Sequence, residues 1–460
     1  MGVDSYTYSL LSCKLTKDIN RDEKRDNGIY FTPPKTIVKC LDILAQYNRA
    51  FNNILEPSCG SCEFIEKIRN YHPSASITGV EYNKIIYDNI KNIYDDSDGS
   101  NDSNGSDGNN IKIYNDDFLK TSFTTKFDLI IGNPPYYVLK KNDVEKQYYK
   151  YFEGRPNMFI LFIIKSLTLL TDDGILCFIL PKSFLNCLYY NKTREYIYTK
   201  YDILTIQECE DNYIDTEQPT ILFIIRKKAD SGADGDSGDS GNEKYILKHL
   251  TGNSGNSITS VTYTIFSTSD TIARLNHLYS NATTLNTLNF KVYVGNIVWN
   301  QHKKILTDDS QKTLLIYSSY IKNNKIEIIK YANTDKKNYI NKKGVSEPLL
   351  VINRGYGVGN YNFEYSLINC DDTADYIREY LIENHLICIK YVGTEGTDGV
   401  GAVGAVGTDG VGEVGKDIIN KYKQLYESFN DERTAEFIKL YFGNNAINAT
   451  ELSNILPIYL

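Results

Sequence analysis

The chain has 460 residues, 41% of them hydrophobic and 23% charged, a globular balance with room for two or three domains. It has no run of about 18 apolar residues, which excludes a helical membrane span, and its start lacks the charged-then-apolar layout of a secretory signal. The net charge of −8 does not mark a nucleic-acid binder, although acidic inserts inflate it and mask local basic segments. The nine cysteines are odd in number and scattered, several inside apolar runs such as ILCFIL, as suits a reduced intracellular protein.

In chain order, Pro33 and Pro34 open a helix whose Ile37, Leu41 and Leu44 fall on one face. Short apolar runs follow: NILEP, ITGVEY, IKIYNDDF, FDLIIGNPP, GILCFILP, ILTIQE and TILFIIRK. Helical patterns at 63–70, 84–93, 157–170 and 191–200 separate most of them. One of these contains MFILFII at 158–164, which is too short to span a membrane and reads as a buried helix. Strands alternating with helices predict a mostly parallel, doubly wound α/β sheet, which binds ligands at the carboxyl ends of its strands.

Three low-complexity stretches, at 95–110, 229–242 and 392–416, hold too few apolar residues to offset the entropy of ordering, so mobile loops are expected. The first domain is expected over 1–228 and a linker over 229–243. A second domain is expected over 244–460, with many short β-type runs and a helical tail at 417–441.

The strand ends carry the chemistry. After the first strand comes Glu56-Pro57-Ser58-Cys59-Gly60-Ser61-Cys62, then a helix. A turn of small residues lets backbone N–H groups approach a ligand. The Cys-x-x-Cys pair also raises a zinc or a thioredoxin-like redox reading. A Cys₄ zinc site needs a second pair, and none exists, so no metal is expected. A redox motif has no use for the acids and the strand-end series around it. Cys59 and Cys62 are expected to be semi-buried residues lining a cofactor turn. After the second strand stands Glu81, placed to accept from a ribose. Asn115-Asp116-Asp117-Phe118 follows the third strand, and Asn133-Pro134-Pro135-Tyr136 the fourth.

Together these motifs resemble the S-adenosylmethionine-dependent N6-adenine DNA methyltransferases, in the gamma-class order. The matching segments are YFTPP (30–34), EPSCGSC (56–62), GVEYN (79–83), NDDF (115–118), NPPY (133–136), FILPKSFL (178–185) and YIDTEQPTILFI (213–224). The resemblance implies a Rossmann-like class I methyltransferase domain followed by an α+β target-recognition domain. It implies S-adenosylmethionine as methyl donor, with S-adenosylhomocysteine as product. Tyr30 and Thr32 would contact the cofactor, Thr32 through its carboxylate. Glu56, Pro57, Ser58, Cys59 and Gly60 would hold the methionine end, and Glu81 the ribose, with Tyr82 against the adenine. Asp117 would accept from the cofactor's adenine amine and Phe118 pack on its ring. Asn133, Pro134, Pro135 and Tyr136 would handle the target base, with Tyr213 as a second stacking aromatic. Cys62 stands where the family usually has Gly, which tightens the turn.

An exocyclic amine is a poor nucleophile, because its lone pair is delocalised into the ring. Acceptors at the Asn133 side-chain oxygen and the Pro134 carbonyl favour the localised form, and alignment with the sulfonium methyl supplies much of the rate. The base must leave the duplex, at a cost of roughly a few kcal/mol.

Residues 291–345 hold eleven Lys against four acids, interleaved with Trp299, Tyr317 and Asn residues, a pattern suited to phosphate and base-edge contacts. Lys303, Lys304 and Arg354 are the candidate DNA contacts. The expected partner is double-stranded DNA, met by a monomer in a bacterial or viral setting, with any cognate restriction endonuclease a separate protein. Methylation of RNA or of a protein glutamine amide, and a DNA-binding module with an inactive catalytic domain, are the competing readings.

Overall fold

The computed structural model describes residues 7–94, 110–210, 213–228, 242–250, 262–354, 363–369, 377–393, 411–442 and 447–460. The three low-complexity stretches lie largely outside them, and with them the expected mobile loops. The chain divides into two compact units, Met1–Lys248 with Thr264–Ile272, and His249–Tyr263 with Ala273–Leu460.

The first unit begins with three helices, α1 (Leu10–Asp18), α2 (Arg21–Asn27) and α3 (Pro34–Ala45). Pro34 sits in the first turn of α3, where its missing N–H costs nothing, and Ile37, Leu41 and Leu44 are buried as their spacing predicts. Then β1 (Asn53–Glu56), α4 (Glu63–Tyr71), β2 (Ser76–Glu81), α5 (Lys84–Tyr94), β3 (Ile111–Asn115) and β4 (Phe127–Gly132) alternate. They are followed by α6 (Met158–Leu169), β5 (Leu170–Pro181), α7 (Asn191–Lys200), β6 (Tyr201–Cys209) and β7 (Thr220–Lys227).

The seven strands form one sheet in the order β3-β2-β1-β4-β5-β7-β6. The first five pair in parallel, and β7 runs antiparallel between β5 and β6. This is the mostly parallel sheet that the resemblance to class I methyltransferases implies. Helices cover both faces, so the strands read as continuous apolar runs. The two-residue period still sorts them: Ile54, Leu129 and Ile131 join one core, and Leu55 and Ile130 the other. Helix α6 is buried over Phe159–Ile164, as its all-apolar run requires.

The first unit extends beyond residue 228. Arg194 is 1% exposed, and a buried guanidinium must find acceptors. Its Nε donates to the Thr264 carbonyl at 2.5 Å, and one terminal nitrogen to the Phe184 and Cys187 carbonyls. The Asn191 side chain accepts from the Thr264 N–H at 2.9 Å. These bonds hold Thr264–Ile272 in the first unit.

The second unit is mainly β. Strands Phe290–Val294, Leu386–Tyr391, Leu349–Asn353 and Tyr365–Ile368 form an antiparallel sheet in that order. Leu306–Thr307, Tyr339–Ile340, Thr313–Ile316 and Tyr380–Ile382 form another, whose last pair is parallel. The run KIEIIKY contributes only Lys325–Ile326 to a strand. The helical tail begins at Val411, ahead of the expected 417.

Candidate active site

The strand order reverses between β1 and β4, and a crevice outside the carboxyl ends at such a point is where this architecture binds ligands. Glu56 ends β1, and the Cys59 N–H donates to Val80 O at 2.9 Å, which ties the following turn to β2. The Cys62 N–H donates to Cys59 O at 2.7 Å, closing the turn. Cys62 precedes α4 with φ 66° and ψ 22°, a left-handed conformation that explains the family's Gly at this place.

The cysteines are not semi-buried: Cys59 is 3% and Cys62 0% exposed, packed in the core with Ile65. A Cβ at Gly79 in β2 would stand 3.0 Å from Ile65 Cδ1 and 3.2 Å from the Cys59 sulfur, so the glycine eases the packing of that thiol. A hydrogen bond to Cys62, then burial, pushes the Cys59 thiol well up, the opposite of a reactive redox cysteine.

Two buried acids flank the turn. Glu81 is 7% exposed and accepts from the Gly60 N–H at 2.9 Å and the Asn83 N–H at 2.6 Å. Burial raises its carboxyl to about 7, against the pull of those backbone donors. Glu56 is 2% exposed, and its Oε2 has no hydrogen-bond partner among the described residues. Burial first, then the neighbouring Cys62 and Glu81, push it well above the usual range. A buried carboxylate oxygen without a donor is a place for a ligand cation or N–H. With Glu81 beside it, the pair fits the ammonium and ribose diol of S-adenosylmethionine.

Thr32 is 5% exposed and does not cap α3, whose cap residue is Pro33 with no side-chain bond, so its hydroxyl is not spent on the helix. Tyr30 is half-buried and Pro57 buried. Tyr82 is 69% exposed, an open aromatic face next to Glu81. Asp117 is partly engaged: Oδ1 accepts from the Leu119 N–H at 3.0 Å and Oδ2 lies 3.1 Å from Lys120. Phe118 departs from expectation. It is 2% exposed, packed on Phe162 with ring centres 4.9 Å apart and capped by the Lys165 ammonium, so its ring belongs to the core.

The Asn-Pro-Pro-Tyr loop leaves the end of β4. The Ser58 hydroxyl donates to Asn133 O at 3.2 Å, joining this loop to the turn after β1. Asn133 Nδ2 donates to Tyr30 O at 3.3 Å, which fixes the carboxamide. Pro134 is buried, and Pro135 and Tyr136 are half-buried. The Tyr136 hydroxyl has two acceptors, Asn133 Oδ1 at 2.5 Å and Ile179 O at 2.7 Å, and its single proton serves one at a time. Its ring meets Phe159 edge-on. Tyr213 is not an open stacking face: it is 8% exposed, and its buried hydroxyl has no partner among the described residues. Lys24 holds Asp215, two residues on, and so draws this stretch inward.

Sequence reasoning missed the residues behind the site. Glu63 accepts from the Ser9 N–H at 2.8 Å and the Ser12 hydroxyl at 2.6 Å, and Ser12 meets the Ser61 hydroxyl at 2.7 Å, so α1 braces the turn. Gly28 and Lys24 lie in the stretch DEKRDNG, whose only signal is the Asn-Gly helix stop.

In the second unit Lys303 is paired with Asp335 at 2.9 Å and lies over the Trp299 ring. Lys304 is exposed and makes no ion pair among the described residues. Arg354 is half-buried, and most of its glycine-rich loop lies outside the described residues. Lys336 sits over the rings of Tyr331, at 4.0 Å, and Tyr317, at 4.3 Å.

Residues 16–214 match the Eco57I restriction-modification methylase family. The Type II methyltransferase M.CvrRI of Paramecium bursaria Chlorella virus XZ-6E is 28% identical, over 97% of this chain and 98% of its own. The modification methylase CviBIII of Paramecium bursaria Chlorella virus NC1A is 27% identical, over 85% of this chain and 89% of its own. Among solved structures, a class I S-adenosylmethionine-dependent methyltransferase from Listeria monocytogenes aligns with TM-score 0.38 and 14% identity, covering 49% of this chain and 68% of that one. The family match and the two viral relatives support a DNA methyltransferase of the restriction-modification type, with S-adenosylmethionine as its methyl donor. Among the described residues no helix is long and apolar enough to cross a membrane.

Proposed function

We propose that the chain methylates the N6 amine of an adenine flipped out of a short duplex DNA site. The carrying observation is the pinned carboxamide of Asn133. With Nδ2 given to Tyr30 O, the oxygen Oδ1 is the atom left for an amine hydrogen, at the strand end joined to the cofactor turn by Ser58. The Pro134 carbonyl is the second acceptor, and no strong base is needed: the nitrogen gains the methyl as the methyl's bond to sulfur breaks, and the acidic proton left on the methylated nitrogen passes to water. Bound S-adenosylmethionine supplies an electrophilic methyl group and leaves as S-adenosylhomocysteine.

Glu56 faces the ammonium of the cofactor and Glu81 its ribose, with Thr32 at its carboxylate. When the amine arrives, the Tyr136 hydroxyl keeps Ile179 O as acceptor and releases Asn133 Oδ1. Stacking of the extruded base on Tyr136 offsets the cost of flipping by about 1–3 kcal/mol. The second unit reads DNA through its basic, aromatic segment. A monomer acting on one strand at a time, beside a separate restriction endonuclease, completes the reading.

The test is to incubate the full chain with labelled S-adenosylmethionine and duplex DNA from a methylation-deficient strain, then digest to nucleosides. N6-methyldeoxyadenosine is the expected product. N4-methyldeoxycytidine would keep the amine chemistry and overturn the base. Unlabelled DNA from a cofactor-binding protein would move the acceptor to RNA or a glutamine amide.

A further inference from the structure

Residues 23–30 reach three parts of the candidate site: the neighbour of Glu81, the stretch after Tyr213 and the Asn-Pro-Pro-Tyr loop. Glu23 Oε1 accepts from Asn83 Nδ2 at 2.9 Å, and the Asn83 N–H is itself donated to Glu81. Lys24 is buried: its ammonium donates to Thr16 O at 2.8 Å and to Asp215 at 2.6 Å, next to Tyr213. Gly28 ends α2 with φ +65°, and a Cβ there would lie 2.6 Å from the Tyr136 nitrogen and 3.1 Å from Pro135 Cβ. Tyr30 O then takes the Asn133 amide.

We propose that Lys24 and Gly28 are positioning residues of the transfer site, setting the Tyr213 stretch and the Asn-Pro-Pro-Tyr loop in register with the cofactor acid. The obstacle at Gly28 is backbone, which cannot rotate aside as a side chain can. Any larger residue pushes Tyr136 and, with it, Asn133. Displacements of about 1 Å at a reacting centre cost on the order of a hundredfold in rate. Lys24 acts through its ion pair with Asp215, inside the 213–219 stretch. Asp215 is about one-third exposed, so water takes the place of a lost ammonium and the fold survives while the stretch loosens. The kinetic consequence rests on the methyl-transfer reading above; the effect on the two loops does not.

The experiment uses the full chain and the variants Lys24→Met, Lys24→Arg, Asp215→Asn, Gly28→Ala and Gly28→Asn. Hydrogen–deuterium exchange is read on peptides covering 133–139 and 213–219, with kcat and KM on DNA and affinity for S-adenosylhomocysteine. Both Gly28 variants should speed exchange at 133–139 and lower kcat by about tenfold or more, with cofactor affinity within about threefold. Lys24→Met should speed exchange at 213–219 and lower kcat, and Lys24→Arg should restore both. Should Lys24→Met not fold, Asp215→Asn reads the same contact from its more exposed end.

Unchanged exchange in both loops of folded variants would overturn the proposal. Wild-type behaviour of Gly28→Asn beside a defective Gly28→Ala would reduce Gly28 to a left-handed cap and overturn its part, since Asn tolerates that conformation but still carries a Cβ. Loosened loops in a protein that labels no DNA would sustain the positioning and sink the DNA reading.

Discussion

Under the proposed function, the burial of Glu81 is a cost to the free protein that ligand binding offsets. Its carboxyl has an ordinary value of 4.5 and is raised to about 7 by burial. The folded state therefore holds this proton more tightly than the unfolded state. Stability from this group is fully present below about 4.5 and is lost as pH rises through about 7. At about 1.4 kcal/mol per pH unit, the gap makes ionised Glu81 destabilising by roughly 2–3 kcal/mol at pH 8 relative to pH 5. Glu81→Gln removes the titration and keeps the size. At pH 5 the variant should exceed the wild type by no more than about 1 kcal/mol, because folded Glu81 is neutral there and only the unfolded chain ionises. At pH 8 it should be the more stable by roughly 3 kcal/mol, or about 6–12 °C in Tm for a unit of this size. Calorimetry at the two pH values measures this, with the transition of the first unit recognised by its shift on adding S-adenosylhomocysteine. The same variant should bind that ligand more weakly at pH 8, having lost the ionised ribose acceptor. A stability difference that stays constant from pH 5 to pH 8 would refute the reasoning.

Glu56 gives a second pH dependence: burial raises its carboxyl, the ligand ammonium wants it ionised, and affinity for S-adenosylhomocysteine should therefore tighten as pH rises. Titration calorimetry should show that slope flattened in Glu56→Gln, and an unchanged slope would place the ammonium elsewhere. Cys62→Gly relieves a left-handed residue, worth about 1–2 kcal/mol, but deletes a buried thiol and loosens the unfolded chain, so the net change should stay within about 1 kcal/mol. Cofactor affinity should hold within about threefold, and a tenfold gain would show that Cys62 weakens the turn. Lys304 is exposed and without an ion pair among the described residues, whereas Lys303 is held by Asp335. Lys304→Ala should lower DNA affinity and reduce the salt slope by about one, and Lys303→Ala should do less; equal effects would remove the distinction.

The sheet was legible because each strand announces itself locally. NILE, FDLIIG and ILCFILP are apolar runs with a helix period between them, whereas the strand order that sets Glu56 beside Asn133 is seen only in the structure. Strand-end acids were legible for the same reason, since Glu56 and Glu81 follow their strands directly. The second layer was not. Lys24 and Asp215 are 191 positions apart, and no local pattern links them. Gly28 reads as a helix stop, and only the tertiary approach of Tyr136 gives its missing side chain a purpose. Phe118 and Tyr213 show the opposite limit. A strand-end aromatic can face a ligand or the core with one and the same sequence, and Phe162 and the Lys24–Asp215 pair decide it. The late boundary of the first unit was hidden as well, because it depends on what a buried Arg194 must reach.

The central claim is that Asn133 presents an acceptor to a DNA amine beside the cofactor turn. Its most direct test is to express the chain in a methylation-deficient bacterium and map N6-methyladenine across the genome, beside Asn133→Ala. A short motif methylated at nearly every occurrence by the wild type, and a loss of on the order of a hundredfold or more in a variant that still binds S-adenosylhomocysteine, is the predicted result. Undiminished methylation in Asn133→Ala, or an unmodified genome with folded, cofactor-binding wild type, would contradict it.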